Sequence, residues 1–489
     1  MLKLYRRQHF VIIRKKVRLF SRKAFGSFHS EDIEHLISVN DASYEVPPVH
    51  IEMQHRIEEK SHELNKNGLT LGRDMRDKLF CLDGSVTFIN HGAFGAVAEP
   101  LLYEAQLWHY LCESQPLKFF DRLLFPLIAM NIRNVAKYIN CSPQNLLPLP
   151  NVTHGLNILF NSMSIQSNDE IIYYSLTYGS TKKMLMDLSR RTKCKLKMVH
   201  IPLGNITEEL VNSETKKALS SHTKLIVIDH ITSNTALEMP VERLGRLVKT
   251  YNSDITVVID AAHSLFSQTM SINGSSTGAS SNTSNLHSFC DYWITNTHKW
   301  LCNNKGCAYL WVNPKQMGKV RPLVVSHGFS QSADTVYPTS GKLLSSFAWD
   351  GCRDYSSILT STSAINLWNN LPNNSYKKCR KYMQILLLQA AEVMYDAWNV
   401  PAHERMVASK ELTTASPMIL IPIPKSYYAN DVSTDDDAYK LQEILHHKYN
   451  IEVPIKSLEG KLYCRISAHV YNTIEEYVHF ANIIKKKEL

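Results

Sequence analysis

Short β-branched runs alternate with amphipathic helical stretches through the middle of the chain, the pattern of an α/β fold on a mostly parallel sheet. Lys224–Asp229 (KLIVID) predicts a buried strand. Glu242–Tyr251, with Leu244, Leu247 and Val248 on one face, predicts a crossover helix, and Thr256–Asp260 (TVVID) the next strand. Both strands end in Asp before a short polar turn. In open α/β sheets ligands sit beyond the carboxyl ends of the strands, so chemistry is expected there. Asp291–Thr295 (DYWIT) and Gly306–Val312 (GCAYLWV) predict two more strands, flanking a turn that holds His298, Lys299 and Trp300. Between these pairs, residues 271–288 are rich in Ser, Asn, Gly and Thr, and predict a flexible surface insertion too polar to pack. From about Tyr355 onward, long helical patterns such as Tyr376–Trp398 lead into mixed segments. The expected organisation is a basic segment (1–30), an N-terminal extension (31–75), a large domain (76–350) and a smaller C-terminal α+β domain (351–489).

Composition narrows this picture. A chain of 489 residues with 44% hydrophobic and 20% charged side chains can bury a large core. The formal charge is +9, but nine basic residues (Lys3, Arg6, Arg7, Arg14, Lys15, Lys16, Arg18, Arg22 and Lys23) precede the first acid, Glu31. Subtracting those nine leaves a nearly neutral body, without the clustered basic surface that nucleic acid requires. The leading segment interleaves its basic residues with Phe10–Ile13, Val17, Leu19, Phe20 and Phe25. It reads either as a mitochondrial presequence or as a basic surface tail, so the expected location is mitochondrial or cytoplasmic. No run approaches the ~18 apolar residues that span a bilayer. Ten cysteines lie scattered without a C-x-x-C pair, which fits reduced thiols better than a disulfide framework or a zinc site, and no metal is expected.

Three features carry the candidate chemistry. Asp260, in Asp260-Ala-Ala-His263, closes a hydrophobic strand; a buried carboxylate needs a cation or several donors, and a protonated ring nitrogen would serve. Taken alone, a strand-end Asp is more often a turn or cap. Lys299 follows a strand and precedes an apolar segment, where partial desolvation favours the neutral amine that attacks an aldehyde. A lone lysine is usually a solvated surface charge; a second polar strand end upstream changes the odds. Asn151–Asn157 (NVTHGLN) precedes the apolar helical run Ile158–Met163 and reads equally as a phosphate-binding helix start or a plain cap by Thr153.

These residues resemble the class V aminotransferase family of fold type I pyridoxal-phosphate (PLP) enzymes, and within it the isopenicillin-N-epimerase-like branch. The resemblance runs from about Thr87 to Ile484. Its marks, in order, are Phe88–Gly95 (FINHGAFG), Tyr178–Leu185, Asp229–Ala236 (DHITSNTA), Asp260–His263, Thr297–Trp300 (THKW), Gly351–Tyr355 (GCRDY) and Arg465–Asn472 (RISAHVYN). It implies a fold type I homodimer with active sites at the subunit interface and a small amino-acid substrate. Lys299 would hold PLP as a Schiff base and shuttle the Cα proton, and Asp260 would keep the ring nitrogen protonated. His263 and Ser233 would lie near the phenolic oxygen, while Tyr178 would stack on the ring. Thr153, His154, Asn296 and His298 would line the phosphate. Arg465 would clamp the substrate carboxylate, with Asn90, His91 and Arg353 bordering the substrate. Family members usually carry Thr where this chain has Cys352, a weaker donor toward the neighbouring subunit's phosphate. Asn450–Lys461 contains no cysteine, unlike the corresponding loop of persulfide-forming desulfurases.

The family analogy favours carbon–sulfur lysis of a cysteine-type substrate by Cα deprotonation and β-elimination, with epimerisation or transamination as the runner-up. A PLP-fold binding protein without turnover is a further reading. A nicotinamide enzyme is disfavoured, because no G-x-G-x-x-G follows a strand.

Overall fold

The computed structural model describes residues 32–65, 68–267, 271–273, 286–329, 343–371, 376–405, 408–413, 416–428 and 432–486. The basic segment expected over residues 1–30 lies outside the described residues.

Seven strands form the main sheet: β1 (Leu146–Leu149), β2 (Glu170–Tyr174), β3 (Lys195–Val199), β4 (Thr223–Asp229), β5 (Thr256–Asp260), β6 (Tyr292–Asn296) and β7 (Ala308–Val312). Their spatial order is β1-β7-β6-β5-β4-β2-β3. Strands β2 to β6 run parallel, and β7 is antiparallel to both β1 and β6. Apart from Lys224 and Thr256 near the starts of β4 and β5, the inner strands are buried, as expected of strands covered on both faces by helices. The predicted strands agree with β4 to β7 to within two residues, because each is an unbroken apolar run closed by a polar turn.

Three helices position the polar ends of these strands. Helix α1 (Val152–Ser162) follows β1 and packs tightly on β6: a Cβ at Gly155 would stand 2.0 Å from Ile294 Cδ1. Helix α2 (Gly179–Thr192) connects β2 to β3, and α3 (Val241–Tyr251) buries Leu244 and Val248 between β4 and β5. In the predicted surface insertion, residues 274–285 lie outside the described residues. Its flanks do pack: Ile272 and Leu286 are buried, and the Ile272 amide donates to the Ile139 carbonyl (2.9 Å). Apolar side chains at these two positions anchor a stretch whose average composition is polar.

A second sheet joins β8 (Met418–Pro422), β9 (Ile455–Leu458) and β10 (Lys461–Ser467), all antiparallel in the order β9-β10-β8. Two long helices, α4 (Tyr376–Ala397) and α6 (Ile474–Lys486), pack together, and α5 (Asp435–Tyr449) lies on β9. A capping box between Thr434 and Asp437 starts α5. Along α4, Cys379 and Met383 join the main apolar core, while Leu386 to Trp398 build a second core with α6 and β10. Thr87–Phe88 pairs in parallel with Ile451–Glu452, tying the motif around Asn90 to the C-terminal part of the chain.

Candidate active site

The carboxyl ends of β4, β5 and β6 present Asp229, Asp260 and Asn296, and the turn after β6 carries Lys299. Parallel register places Asp229 directly opposite Asp260. Adjacent strands lie about 4.8 Å apart, so two carboxyl groups share one buried corner. Asp260 accepts the Ala262 amide (3.1 Å) and Asp229 the Tyr178 amide (3.1 Å). Among the described residues neither carboxyl makes an ion pair. Burial pushes both carboxyls upward in pKa; the Asp260 charge adds to the rise at Asp229, while the Ala262 amide and the Lys299 charge oppose it at Asp260. A cation placed at this corner would relieve that cost.

Lys299 Nζ lies 2.9 Å from His263 Nε2, and Trp300 Nε1–H donates to His263 Nδ1 at 3.3 Å. Indole N–H can only donate, so His263 Nδ1 must accept. A neutral imidazole then carries its proton on Nε2 and donates it to Lys299, which must accept through a lone pair. The contact therefore selects the uncharged amine. Its energetics agree: burial, reinforced by Lys299 and Arg465, holds His263 well below its ordinary value, and burial lowers Lys299 to about 7 against the pull of Asp260. Gly95 makes this turn possible. Its φ is +68°, and a Cβ there would meet His298 O at 2.0 Å and Lys299 Cα at 2.9 Å.

Arg465, in β10, is buried and reaches across to the main sheet. It donates to the Ser233 carbonyl (2.5 Å) and to Asn90 Oδ1 (2.9 Å), and its Nε has no partner. Burial lowers even this guanidinium to about 10, with the Tyr178 hydroxyl opposing the shift. Tyr178 itself is exposed beside the Asp229 corner. Arg465, Asn90, Ser233 and Tyr178 thus form one group at the site.

At the start of α1, Asn151 rather than Thr153 caps the helix: its side chain accepts the His154 amide (2.8 Å). The plain cap weighed for Thr153 is thereby corrected, since the more N-terminal Asn takes the extended conformation that a cap requires. Thr153 stands exposed in the first turn, with His154 half-buried beside it. Asn296 Oδ1 accepts the Val152 amide (3.2 Å), fixing this helix end to β6. His298 Nδ1 is buried without a partner, and burial lowers His298 to about 4. Arg353 pairs with Asp350 (2.6 Å) and lies over the Tyr355 ring (4.2 Å). Both Arg353 and Asp350 act electrostatically on His154, so Arg353 belongs to the α1 side rather than to the Arg465 side. Cys352, next to it, is exposed. His91 is fully buried, its Nδ1 2.8 Å from the Tyr471 hydroxyl and its Nε2 3.0 Å from the Lys299 carbonyl, so it holds the backbone of the lysine turn.

Residues 128–394, more than half of the chain, match the family model described as aminotransferase class-V. The protein belongs to the class-V aminotransferase family. Among curated relatives, the L-cysteine desulfhydrase of Arabidopsis thaliana is 25% identical over 447 residues, spanning 85% of this chain and 91% of that protein. Hercynylcysteine sulfoxide lyase of Schizosaccharomyces pombe is 24% identical over 427 residues, covering 85% and 97% of the two chains. A solved structure of a C-DES mutant with glycine covalently linked to its PLP cofactor superposes with a TM-score of 0.64 at 16% identity, covering 82% of this chain and 97% of that one. That likeness establishes the α/β fold with its mostly parallel sheet.

The residues present fit PLP on this chain's own features: a buried carboxyl pair lacking a cation, an amine held neutral, and a helix start beside a partnerless His298 Nδ1. Two contributors escaped sequence reasoning. Asp229 was visible as a second strand-end Asp, but only the register sets it against Asp260. Trp300 was visible beside Lys299, yet its bond to His263 depends on the shape of the turn.

Proposed function

We propose that this protein is a PLP-dependent carbon–sulfur lyase acting on a cysteine-type amino acid. The observation that carries the reading is the contact of Lys299 Nζ with His263 Nε2 (2.9 Å), with Trp300 holding the His263 ring and the buried Asp260 and Asp229 within electrostatic reach of the amine. When bound, PLP supplies the electron sink for a carbanion at the substrate Cα. Lys299 would anchor it, Asp260 and Asp229 would serve its ring nitrogen, and His263 and Ser233 its phenolic oxygen. Tyr178 would cover the ring, and Thr153, His154, Asn296, His298 and Cys352 would hold the phosphate.

The chain's own groups then divide the work. Arg465 presents a planar fork to the substrate carboxylate, with Asn90 and Ser233 already orienting it. That grip fixes which Cα bond faces the ring. Lys299 Nζ, lowered by burial to about 7, offers a substantial fraction of free amine near neutrality to accept the Cα proton. Sulfur then leaves from Cβ with the bonding electron pair and takes the proton from Lys299, as a thiol or, from a sulfoxide, as a sulfenic acid; the released enamine tautomerises and adds one water to give pyruvate and ammonia. No cysteine lies in Asn450–Lys461, and Cys464 is buried in β10, so this segment offers no thiol to receive sulfur as a persulfide. The names of the desulfhydrase and sulfoxide lyase relatives support the same reaction class.

The reading includes assembly as a homodimer that completes the phosphate side near Cys352, and residence in mitochondria or cytoplasm. No described helix is long and apolar enough to cross a membrane. The test is a panel of L-cysteine, cysteine sulfoxides and cysteine conjugates offered to the holoenzyme, with products identified by mass spectrometry. Pyruvate appearing in step with a released thiol or sulfenic acid is expected. Amino transfer to a keto acid, or inversion at Cα without sulfur release, would refute the lyase.

A further inference from the structure

Three donors from distant parts of the chain meet against the backbone of the Lys299–Cys302 turn. His91, Cys302 and His469 are all buried, and their donor atoms lie within 4.8 Å of one another. Cys302 Sγ is 3.4 Å from His469 Nε2 and 4.0 Å from His91 Nε2. In a tetrahedral site with Zn–N of about 2.0 Å and Zn–S of about 2.3 Å, neighbouring N and S ligands are roughly 3.5 Å apart. The two imidazoles stack with centroids 4.1 Å and planes 21° apart, so their in-plane lone pairs run nearly parallel, and the His469 ring must turn for both Nε2 atoms to face one ion beside the thiol. His469 Nε2 makes only long contacts, 3.4 Å to Cys302 Sγ and 3.4 Å to the Trp300 carbonyl, so the protein engages this nitrogen weakly.

We propose that His91, Cys302 and His469 form a binding site for a borderline-soft divalent cation of the zinc class, with the Lys299 carbonyl as its oxygen donor. Binding balances as follows. The Cys302 thiol gives up its proton to solvent, and the cation takes the sulfur lone pair. His91 shifts its proton from Nε2 to Nδ1, where the Tyr471 hydroxyl, 2.8 Å away, can accept it. Metal-bound imidazoles ordinarily donate their second N–H in this way. The Lys299 carbonyl, which in the metal-free state accepts from His91 Nε2 (3.0 Å), then faces the cation. Because the fourth donor is the peptide of Lys299, occupancy would stiffen the turn that carries the reactive amine.

The test uses full-length holoenzyme, treated with a chelator, incubated with zinc or with cobalt, and desalted. About one zinc ion per chain should be retained, and the cobalt form should show a thiolate-to-metal charge-transfer band. Both signals should be lost in Cys302→Ser and in His469→Gln. Zinc at background in the wild type, a cobalt spectrum without the thiolate band, or full retention by Cys302→Ser would overturn the site. Should either variant fail to fold, the wild-type cobalt spectrum decides alone. Metal content is read without turnover, so the result is independent of whether the lyase reading holds.

Discussion

Replacing Trp300 with phenylalanine tests the lock on Lys299. The change keeps an aromatic ring in a fully buried position but removes the N–H that donates to His263 Nδ1 at 3.3 Å. His263 then loses the partner that holds its proton on Nε2 and can adopt the other tautomer. Its Nε2 becomes an acceptor for Lys299 at 2.9 Å, and a protonated Lys299 can donate to it. A hydrogen bond from a charged donor contributes about 1.5–3 kcal/mol, and each pKa unit corresponds to about 1.4 kcal/mol. Lys299, lowered to about 7 in the native protein, should therefore rise by about one to two units. The sign is definite: the amine reacts only when neutral, so the variant needs higher pH for the same rate. The assay is PLP incorporation into apoprotein, followed by stopped-flow absorbance across pH. Wild type should reach half its limiting rate near pH 7, and Trp300→Phe about one to two units higher. Superimposable profiles from two folded proteins would refute the tautomer argument.

Other substitutions probe the remaining parts. Gly95→Ala places a methyl 2.0 Å from His298 O at a φ of +68°, so the turn must move. It should lose about 1–2 kcal/mol from the backbone alone, read as a lowered midpoint in urea, and about 10²-fold in kcat/KM from misplacement of Lys299. Asp260→Asn should lower kcat by about 10²–10³-fold. Asp229→Asn should cost about tenfold through the weaker field at the same corner, with both effects measured by pyruvate release. Arg465→Lys gives up the planar fork and should raise KM about tenfold with a smaller change in kcat. Cys352→Thr restores a stronger donor and should tighten PLP binding by about 0.5–1.5 kcal/mol in an equilibrium titration of apoprotein.

The strands that position the site were legible because each is an unbroken apolar run ending in a polar turn, so Asp260 and Lys299 could be singled out from the sequence pattern, whereas Asn296 entered through the family resemblance. Arg465 could be assigned only by resemblance, since nothing local distinguishes an arginine in β10 from one on a surface strand. The Asp229–Asp260 corner required register, which depends on pairing between separate strands. Helix α1 was foreseen, but its cap fell two residues earlier than Thr153, because Asn151 supplies the acceptor. His91, Cys302 and His469 are the extreme case: no spacing rule joins positions so far apart, and only the fold brings their donors together.

The central claim is that the ε-amine of Lys299 carries PLP. Reconstituted protein should be reduced with borohydride, digested, and mapped by tandem mass spectrometry. A pyridoxyl adduct on Lys299, absent from a folded Lys299→Ala variant, is the expected result; an unmodified Lys299, or an adduct on another lysine, would contradict the account.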